Sequence, residues 1–222
     1  MKVLVIDDNT IHLQAAKETL GEHELTVVDN YDEAVKYLDR EVAHDEIFNE
    51  LDMRGVKDPG WDNKAARKKY ENQWKVVKNE LLEKKYFKFD VVLCDLLMPA
   101  GEEMQGPNPG QLYGHNDFVG QMMPVGFALA LRAVLHGARY VAVVTATNHH
   151  NHPASAMLDR LGKDYWERAA NPIGANLPKF VINGVRVGFY HHPSYKVKDA
   201  AGKEHESKHW GMVLQALMQV PS

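Results

Sequence analysis

Short apolar runs alternate with amphipathic segments along this chain, and the alternation predicts an α/β fold. Apolar runs rich in valine occupy residues 2–6, 91–95 and 140–144, and each is interpreted as a buried strand. Between them, apolar residues recur at helical spacing, as in residues 11–20 and 125–136, and a glycine closes each of these segments. Strands that alternate with helices form parallel sheets, so we expect a doubly wound sheet.

Two further strands and two further helices complete the predicted pattern. Residues 25–28 and 185–190 are interpreted as the remaining strands of a five-stranded parallel sheet. Helices are expected near residues 31–38 and over residues 207–219. The core face of the last helix would consist of Trp210, Val213, Leu214 and Leu217.

A hairpin is predicted just before the fifth strand. Asn183-Gly184 lies between two runs rich in β-branched residues, 180–182 and 185–187. This pair favours a type I′ turn, because both central residues need a positive φ. We therefore expect one extra antiparallel strand at the edge of the sheet.

Residues 41–88 interrupt this pattern with a segment rich in charges of both signs. The segment is broken near Gly55 and residues 58–60, and the apolar residues on either side follow helical spacing. The stripe after the break consists of Tyr70, Trp74, Val77 and Leu81. The spacing predicts an inserted helical hairpin, which either covers the domain's own core or serves as a docking or dimerisation arm.

A second interruption, residues 100–124, contains repeated glycines and prolines and no apolar periodicity. It directly follows the strand over residues 91–95, which places it over the crevice at the carboxyl ends of the strands. Loops of this length in compact domains are usually functional lids or disordered stretches. We therefore treat residues 1–222 as a single domain with a helical insertion and a long Gly/Pro-rich loop.

Composition narrows the range of partners and compartments. The 222 residues are 45% hydrophobic, which is enough for a sizeable core, and the formal net charge is -4. This charge, together with the lack of a basic stripe, gives no electrostatic basis for binding nucleic acid. The single cysteine, Cys94, excludes an internal disulfide. Since no leader and no long apolar run is found, we expect a soluble cytoplasmic protein without a membrane span.

Carboxylates follow two of the predicted strands at the point where each strand ends. Asp7 and Asp8 come directly after the first strand, and Asp95 closes the strand over residues 91–95. Ligands of open α/β sheets bind outside the carboxyl ends of the strands, so these acids should share a crevice with Thr145, which ends the next strand. Hard divalent cations such as Mg²⁺ prefer carboxylate oxygens. The pattern therefore predicts a magnesium site.

These positions resemble the receiver domains of bacterial response regulators. Residues 7–9, Asp-Asp-Asn, resemble their acidic pair, and residues 95–99, Asp-Leu-Leu-Met-Pro, resemble their phosphoacceptor motif. The resemblance implies a flavodoxin-like sheet and phosphorylation of Asp95 by a histidine kinase or a phosphotransfer protein. It also implies that Thr145 contacts the phosphoryl oxygens. The Mg²⁺ ligands it implies are Asp7, Asp8, Asp95 and the backbone carbonyl of Leu97.

One residue of that family is absent from its usual place. Receivers carry a lysine-proline pair after the fifth strand, whereas this chain carries His192-Pro193. Imidazole titrates near neutral pH and an ammonium stays charged, so His192 would couple phosphorylation to structure weakly or in a pH-dependent way. Lys179 and Lys196 lie close enough in sequence to substitute. Phe189 falls where the family places its rotating aromatic switch, or it is an ordinary core aromatic.

Histidines near the same strand ends support a second hypothesis. His149, His150 and His152 follow the strand over residues 140–144, and His191 and His192 follow the fifth strand. Imidazoles favour Zn²⁺, Ni²⁺ or Fe²⁺ over Mg²⁺. A metal-dependent hydrolase that uses these histidines is therefore the alternative from another functional class.

We interpret the chain as a stand-alone, atypical receiver that accepts a phosphoryl group at Asp95 in a two-component phosphorelay. No output domain is predicted, so the signal would pass through contacts with another protein or with a second copy in a homodimer. A pseudo-receiver that binds a ligand or a protein without phosphotransfer is a third alternative.

Overall fold

The structure is a computed structural model of the chain, and it describes residues 1–38, 42–85, 89–102, 119–145, 179–182 and 184–218. These residues belong to two compact units. The larger unit comprises Met1–Leu38 and Lys88–Ser222, and the smaller unit comprises Asp39–Phe87.

In the described residues of the larger unit, the strands form one main sheet and two short ribbons. In chain order the strands are β1 (Lys2–Ile6), β2 (Glu24–Val28), β3 (Val91–Asp95), β4 (Met98–Pro99), β5 (Met122–Met123), β6 (Tyr140–Thr145), β7 (Lys179–Ile182), β8 (Val185–His191), β9 (Ser194–Lys198) and β10 (Glu204–Lys208). The main sheet has the order β2-β1-β3-β6-β8-β7. Its first five strands are parallel, and β7 pairs antiparallel with β8. β7 is thus the extra edge strand predicted from the sequence, and Gly184 in its turn has a φ of 78°.

Helices cover both faces of the main sheet. The helices among the described residues are α1 (Thr10–Thr19), α2 (Tyr31–Leu38), α3 (His44–Met53), α4 (Lys64–Lys85), α5 (Val125–Leu135) and α6 (Trp210–Met218). Successive residues of a strand point to opposite faces, and the core divides accordingly. Leu4 and Ile6 pack in one cluster with residues of α2 and α5, whereas Val3 and Val5 pack in the other with residues of α1 and α6. The α/β class with a parallel, doubly wound sheet is therefore confirmed.

The smaller unit contains α3 and α4, which lie within the segment predicted as a helical hairpin. Its core is a cluster of buried apolar side chains, namely Val42, Ile47, Leu51, Tyr70 and Val77. Trp74 and Leu81, also predicted for the apolar stripe, are partly buried against this cluster. Phe48 meets Trp74 edge to face, with the ring centroids 4.8 Å apart. The stripe therefore covers the unit's own core, and a docking role for the remaining surface stays a prediction.

The predicted helix over residues 207–219 was wrong at its start. Ser207 and Lys208 belong to β10, which pairs antiparallel with β9, and α6 begins at Trp210. The pairing of Lys208 with Ser194 explains this difference, because a tertiary strand contact overrides the local helical pattern. Most of the predicted loop over residues 100–124 lies outside the described residues. No helix in the described part of the chain is long and apolar enough to cross a membrane.

Candidate functional site

The carboxyl ends of β1 and β3 bring the predicted acidic residues together. The two strands pair in register, with Ile6 opposite Cys94. The next residue of each chain segment is an aspartate, Asp7 or Asp95, so the two carboxylates stand at the same level of the sheet. Asp8 contributes a third carboxylate, and one ligand oxygen from each of the three lies within 4.8 Å of the others. The three carboxylates therefore lie close together, as the strand ends predicted.

Thr145 stands at the same edge of the sheet. It is the last residue of β6, and the preceding residue, Val144, lies opposite Asp95 in the neighbouring strand. Thr145 is buried, and its carbonyl accepts a hydrogen bond from the backbone N–H of His192 at 3.0 Å. This bond joins the end of β6 to the residue that follows β8. The structure therefore places the predicted hydroxyl residue on the strand next to Asp95.

The turn between β1 and α1 is held by its own side chains. Asp7 Oδ1 accepts a hydrogen bond from the backbone N–H of Asn9 at 2.9 Å. Asn9 Oδ1 in turn caps α1 by accepting the backbone N–H of Ile11 at 2.9 Å. These two bonds fix the orientation of the Asp7 carboxylate, because one of its oxygens is committed to the turn.

A lysine from the far end of the chain completes the site. Lys208 Nζ donates to Asp7 Oδ2 and to Asp95 Oδ1, each at 2.5 Å. The side chains of Lys208 and Asp7 are 1% and 0% exposed, whereas that of Asp95 is 12% exposed. An ammonium thus bridges the two carboxylates, and Asp95 is the member of this buried triad that solvent reaches.

Burial and mutual contact shift the proton affinities of this triad. Burial raises the pKa of Asp7, Lys208 lowers it and the nearby Asp95 raises it, and the net result is a pKa of about 7. The pKa of Asp95 is also raised, mainly by burial, although Lys208 opposes this shift. Burial alone would lower the pKa of Lys208, but the carboxylates of Asp95 and Asp7 outweigh it, and the pKa is raised. The ammonium therefore stays charged, and the two buried carboxylates bind a proton more readily than exposed aspartates do.

The donor set of the acidic cluster fits a hard divalent cation. The oxygen ligands come from Asp7, Asp8 and Asp95. The ammonium of Lys208 contacts two of these three carboxylates, those of Asp7 and Asp95. Mg²⁺ is bound in proteins by one or two carboxylates together with water and phosphate oxygens. Within the part of the chain that the structure describes, this is the one group of three or more ligating side chains of its kind.

Helix α5 approaches the backbone of Asp95 closely. A Cβ at Gly126 would lie 1.8 Å from the carbonyl oxygen of Asp95, which leaves no room for any other residue type. The backbone N–H of Gly126 also donates to the carbonyl of Leu96 at 3.2 Å. The first turn of α5 therefore fixes the segment that follows β3, including the position of Asp95.

The structure corrects the prediction about the cation at this site. His192 was expected in the position of the family's lysine, but Lys208 contacts both carboxylates instead. His192 Nδ1 lies 3.3 Å from the carbonyl oxygen of Pro193. Lys196, one of the two suggested substitutes, is exposed and pairs with Glu204 at 3.3 Å.

The remaining predicted residues divide into those that the structure describes and those that it does not. Leu97 is partly buried between β3 and β4, next to the core. Phe189 is buried in the core and stacks on Phe127 with the ring centroids 5.9 Å apart, as expected for a core aromatic. Its role as a switch stays a prediction. The histidines predicted after β6 lie outside the described residues, namely His149, His150 and His152.

Comparison of the chain with protein-family models, with curated proteins and with solved structures gave no match. The chemistry of the site is therefore inferred from its own residues and their geometry.

The sequence contained a weak signal for the lysine that was missed. Residues 194–198 and 204–208 flank a turn that begins at Asp199, and Gly202 in this turn has a φ of 80°. Asp199 Oδ1 accepts the backbone N–H groups of Ala201 and Lys203, each at 2.9 Å. The Asp-x-x-Gly pattern favours a hairpin of two strands at this place. Such a hairpin ends at Lys208, but nothing local predicts where its last side chain points.

Proposed function

We propose that the chain is a receiver-like protein that accepts a phosphoryl group on Asp95 in two-component signalling. The observation that carries this proposal is the contact of Lys208 Nζ with both Asp95 and Asp7, next to Asp8. It supplies the cation that the motif resemblance lacked. The order of the parallel strands, β2-β1-β3-β6-β8, further supports a flavodoxin-like, receiver-like sheet with the site at its carboxyl edge.

The geometry suits phosphoryl transfer to a carboxylate. Asp95 Oδ1 is held by Lys208, so Oδ2 is the oxygen that attacks the phosphorus of the donor. The bond from phosphorus to the donor's leaving group breaks, the leaving group keeps the electron pair, and an aspartyl phosphate forms. Catalysis of such a transfer consists mainly of positioning and of neutralising charge on the phosphoryl oxygens. Lys208 and Thr145 are the groups that the chain provides for this purpose.

The acidic cluster would hold the metal that this chemistry uses. Asp7, Asp8 and Asp95 are the proposed side-chain ligands of Mg²⁺, and the motif resemblance adds the carbonyl of Leu97. When bound, the ion supplies further positive charge to the phosphoryl oxygens. Asp7 is anchored by Asn9 and Lys208, so it offers a fixed carboxylate to that ion.

The proposed partners follow from this chemistry. The donor would be a phosphorylated histidine of a kinase or of a phosphotransfer protein, or a small acyl phosphate. The proposed output is a contact with another protein or with a second copy of the chain in a homodimer. An added phosphoryl group brings close to two negative charges to the strand ends, which is enough to rearrange nearby polar contacts.

Treatment with a small acyl phosphate and Mg²⁺, followed by intact mass spectrometry, tests the proposal. We expect the native protein to gain one phosphoryl group and the Asp95→Asn variant to gain none. Asp29→Asn is the matched control, because Asp29 is an exposed aspartate that follows β2 at the same edge of the sheet. Reduction with borohydride converts an aspartyl phosphate to an alcohol, and peptide mapping then locates it. Absence of a phosphoryl group on native protein would favour the pseudo-receiver alternative.

The metal-dependent hydrolase remains a prediction from the sequence. Its first histidine group lies outside the described residues, and the acidic cluster offers oxygen ligands alone. Metal analysis of purified protein separates the two functions, because stoichiometric Zn²⁺ would support the hydrolase. Loss of that Zn²⁺ in a His149→Ala, His150→Ala double variant would assign it to the histidines.

A further inference from the structure

Lys208 reaches the acidic residues from a hairpin that is separate from the main sheet. β9 and β10 form a two-stranded ribbon of their own. Pairing within the main sheet therefore does not set the position of Lys208. Its ammonium nevertheless makes two short contacts with the carboxylates, so other interactions must hold β10 in place.

Three hydrogen bonds connect the residues around Lys208 to the first turn of α1. The Ser207 hydroxyl lies 3.3 Å from the carbonyl oxygen of Ile11 and 3.0 Å from His12 Nδ1. The indole N–H of Trp210 donates to the carbonyl of His12 at 2.9 Å. Ser207 and Trp210 are both fully buried. Two of the three bonds therefore use His12, which lies on the helix directly after the acidic pair.

The protons of this cluster can be assigned from its geometry. Ser207 has one hydroxyl proton, which it donates to the carbonyl of Ile11. With that proton committed, we assign Ser207 as the acceptor from His12 Nδ1, which places the imidazole proton on Nδ1. Burial, followed by the charge of Lys208, lowers the pKa of His12 to about 4. The ring is therefore neutral at pH 7, and it makes its contact without adding a charge beside the ammonium.

We propose that His12 is a positioning residue for Lys208: its Nδ1–H holds Ser207 and thereby places the neighbouring ammonium between Asp7 and Asp95. The same turn orients the carboxylate of Asp7 through Asn9. The first turn of α1 therefore sets both the lysine and one of its acceptors. This inference rests on the proposed function for its catalytic consequence, although the placement of Lys208 can be measured independently.

The test uses the full chain and compares two substitutions of one residue. His12→Asn retains an N–H donor near the position of Nδ1, whereas His12→Leu removes it. Ser207→Ala removes the acceptor of the same bond. Gln14→Leu is the matched control, because Gln14 is exposed on α1 and its side chain bonds to Glu18 rather than to Ser207 or Trp210.

The first measurement is the ammonium signal of Lys208 in a ¹H–¹⁵N spectrum selective for lysine NH₃⁺ groups, assigned by its loss in Lys208→Arg. A buried, doubly bonded ammonium exchanges its protons slowly, so we expect the signal in native protein. It should persist in His12→Asn and Gln14→Leu, and disappear in His12→Leu and Ser207→Ala. This measurement does not depend on phosphorylation, so it tests the positioning even if native protein takes up no phosphate.

The second measurement is the rate of phosphoryl uptake from the acyl phosphate with Mg²⁺. We expect His12→Leu and Ser207→Ala to be slower by on the order of tenfold, since a displaced cation stabilises the transition state less. His12→Asn should recover most of the native rate. The proposal is overturned if His12→Leu keeps both the signal and the rate, or if His12→Asn is as impaired as His12→Leu. If His12→Leu shows no cooperative thermal unfolding, Ser207→Ala decides by the same criteria.

Discussion

Lys208 and Arg54 each bridge two carboxylates, and the two cations differ in exposure to water. In the larger unit, Lys208 contacts Asp7 and Asp95. In the smaller unit, Arg54 contacts Glu50 at 2.7 Å and Glu80 at 2.6 Å. The side chain of Arg54 is 35% exposed, whereas that of Lys208 is 1% exposed. The two networks share a charge pattern but have different surroundings.

The comparison shows that solvation, rather than the number of contacts, decides what such a network does. Water screens the Arg54 pairs and competes for their hydrogen bonds, so they contribute little to stability. The Lys208 triad has lost that water, and each group depends on its partners for charge balance. The pKa values of Asp7 and Asp95 are raised because burial removes this water, and Lys208 offsets only part of the shift. The site that we propose to bind a cation and to accept a phosphoryl group is the buried network.

Removing the buried cation should have the largest effect. Lys208→Met leaves two neighbouring carboxylates without their ammonium, and we expect a loss of about 3–5 kcal/mol in the free energy of unfolding at neutral pH. Mg²⁺ should restore part of this loss, because it supplies charge to the same carboxylates. Urea denaturation with and without Mg²⁺ measures both effects. Lys196→Met, an exposed lysine on the same hairpin, is the control and should resemble native protein. Equal stability of the two variants would show that the burial of Lys208 does not increase its contribution to stability.

A methyl group at Gly126 should disturb the buried site through its backbone. Gly126→Ala places a Cβ against the carbonyl oxygen of Asp95, so α5 or the end of β3 must shift. We expect a loss of about 1–3 kcal/mol in stability, together with slower phosphoryl uptake. Thermal unfolding and the mass-spectrometric assay measure the two consequences. Ala128→Ser, on the exposed side of the same helix, should leave both unchanged. A native uptake rate in Gly126→Ala would show that this contact does not position Asp95.

The buried site should also respond to pH through His12. Its pKa falls from 6.5 in the unfolded chain to about 4 in the folded protein, so protonation favours unfolding. The contribution of His12 is fully present above pH 6.5 and is lost progressively as the pH falls towards 4. A shift of this size corresponds to about 3 kcal/mol, and solvent screening of the partly buried ring reduces it. Relative to His12→Asn, which does not titrate, native protein should therefore lose about 1–2 kcal/mol across this range. Denaturation at several pH values measures the difference, and a constant difference would contradict the low pKa.

The exposed network should show the smallest effect. Arg54→Gln removes the cation from Glu50 and Glu80, which water can then solvate. We expect a change in thermal stability close to the error of measurement, and no change in phosphoryl uptake. Leu51→Ala provides the contrast within the same unit, because it removes a buried side chain and should cost about 2–4 kcal/mol. A larger effect for Arg54→Gln than for Leu51→Ala would reverse the interpretation of this unit.

The amino-acid sequence by itself determined most of the parallel sheet and the acidic part of the site. Apolar runs that end in Asp7, Asp95 and Thr145 predicted three strands and the edge that they share. The prediction succeeded because strands that alternate with helices form a parallel sheet. The carboxyl ends of parallel strands then meet at one edge. Gly184 in the turn before β8 likewise indicated the edge strand β7. These are local patterns with consequences that the sheet geometry dictates.

The lysine of the site was decided only by the tertiary structure. Lys208 lies 113 residues from Asp95 along the chain, on a strand whose sequence, Glu-His-Glu-Ser-Lys, carries no apolar alternation. Its burial follows from the docking of β10 on α1 through Ser207 and His12, a contact that no local pattern encodes. A charged side chain is buried only where oppositely charged groups can pair with it. The groups that pair with Lys208 come from strands that are distant in the sequence. The sequence pattern thus predicted where the carboxylates lie, whereas the packing of the hairpin determined which cation contacts them.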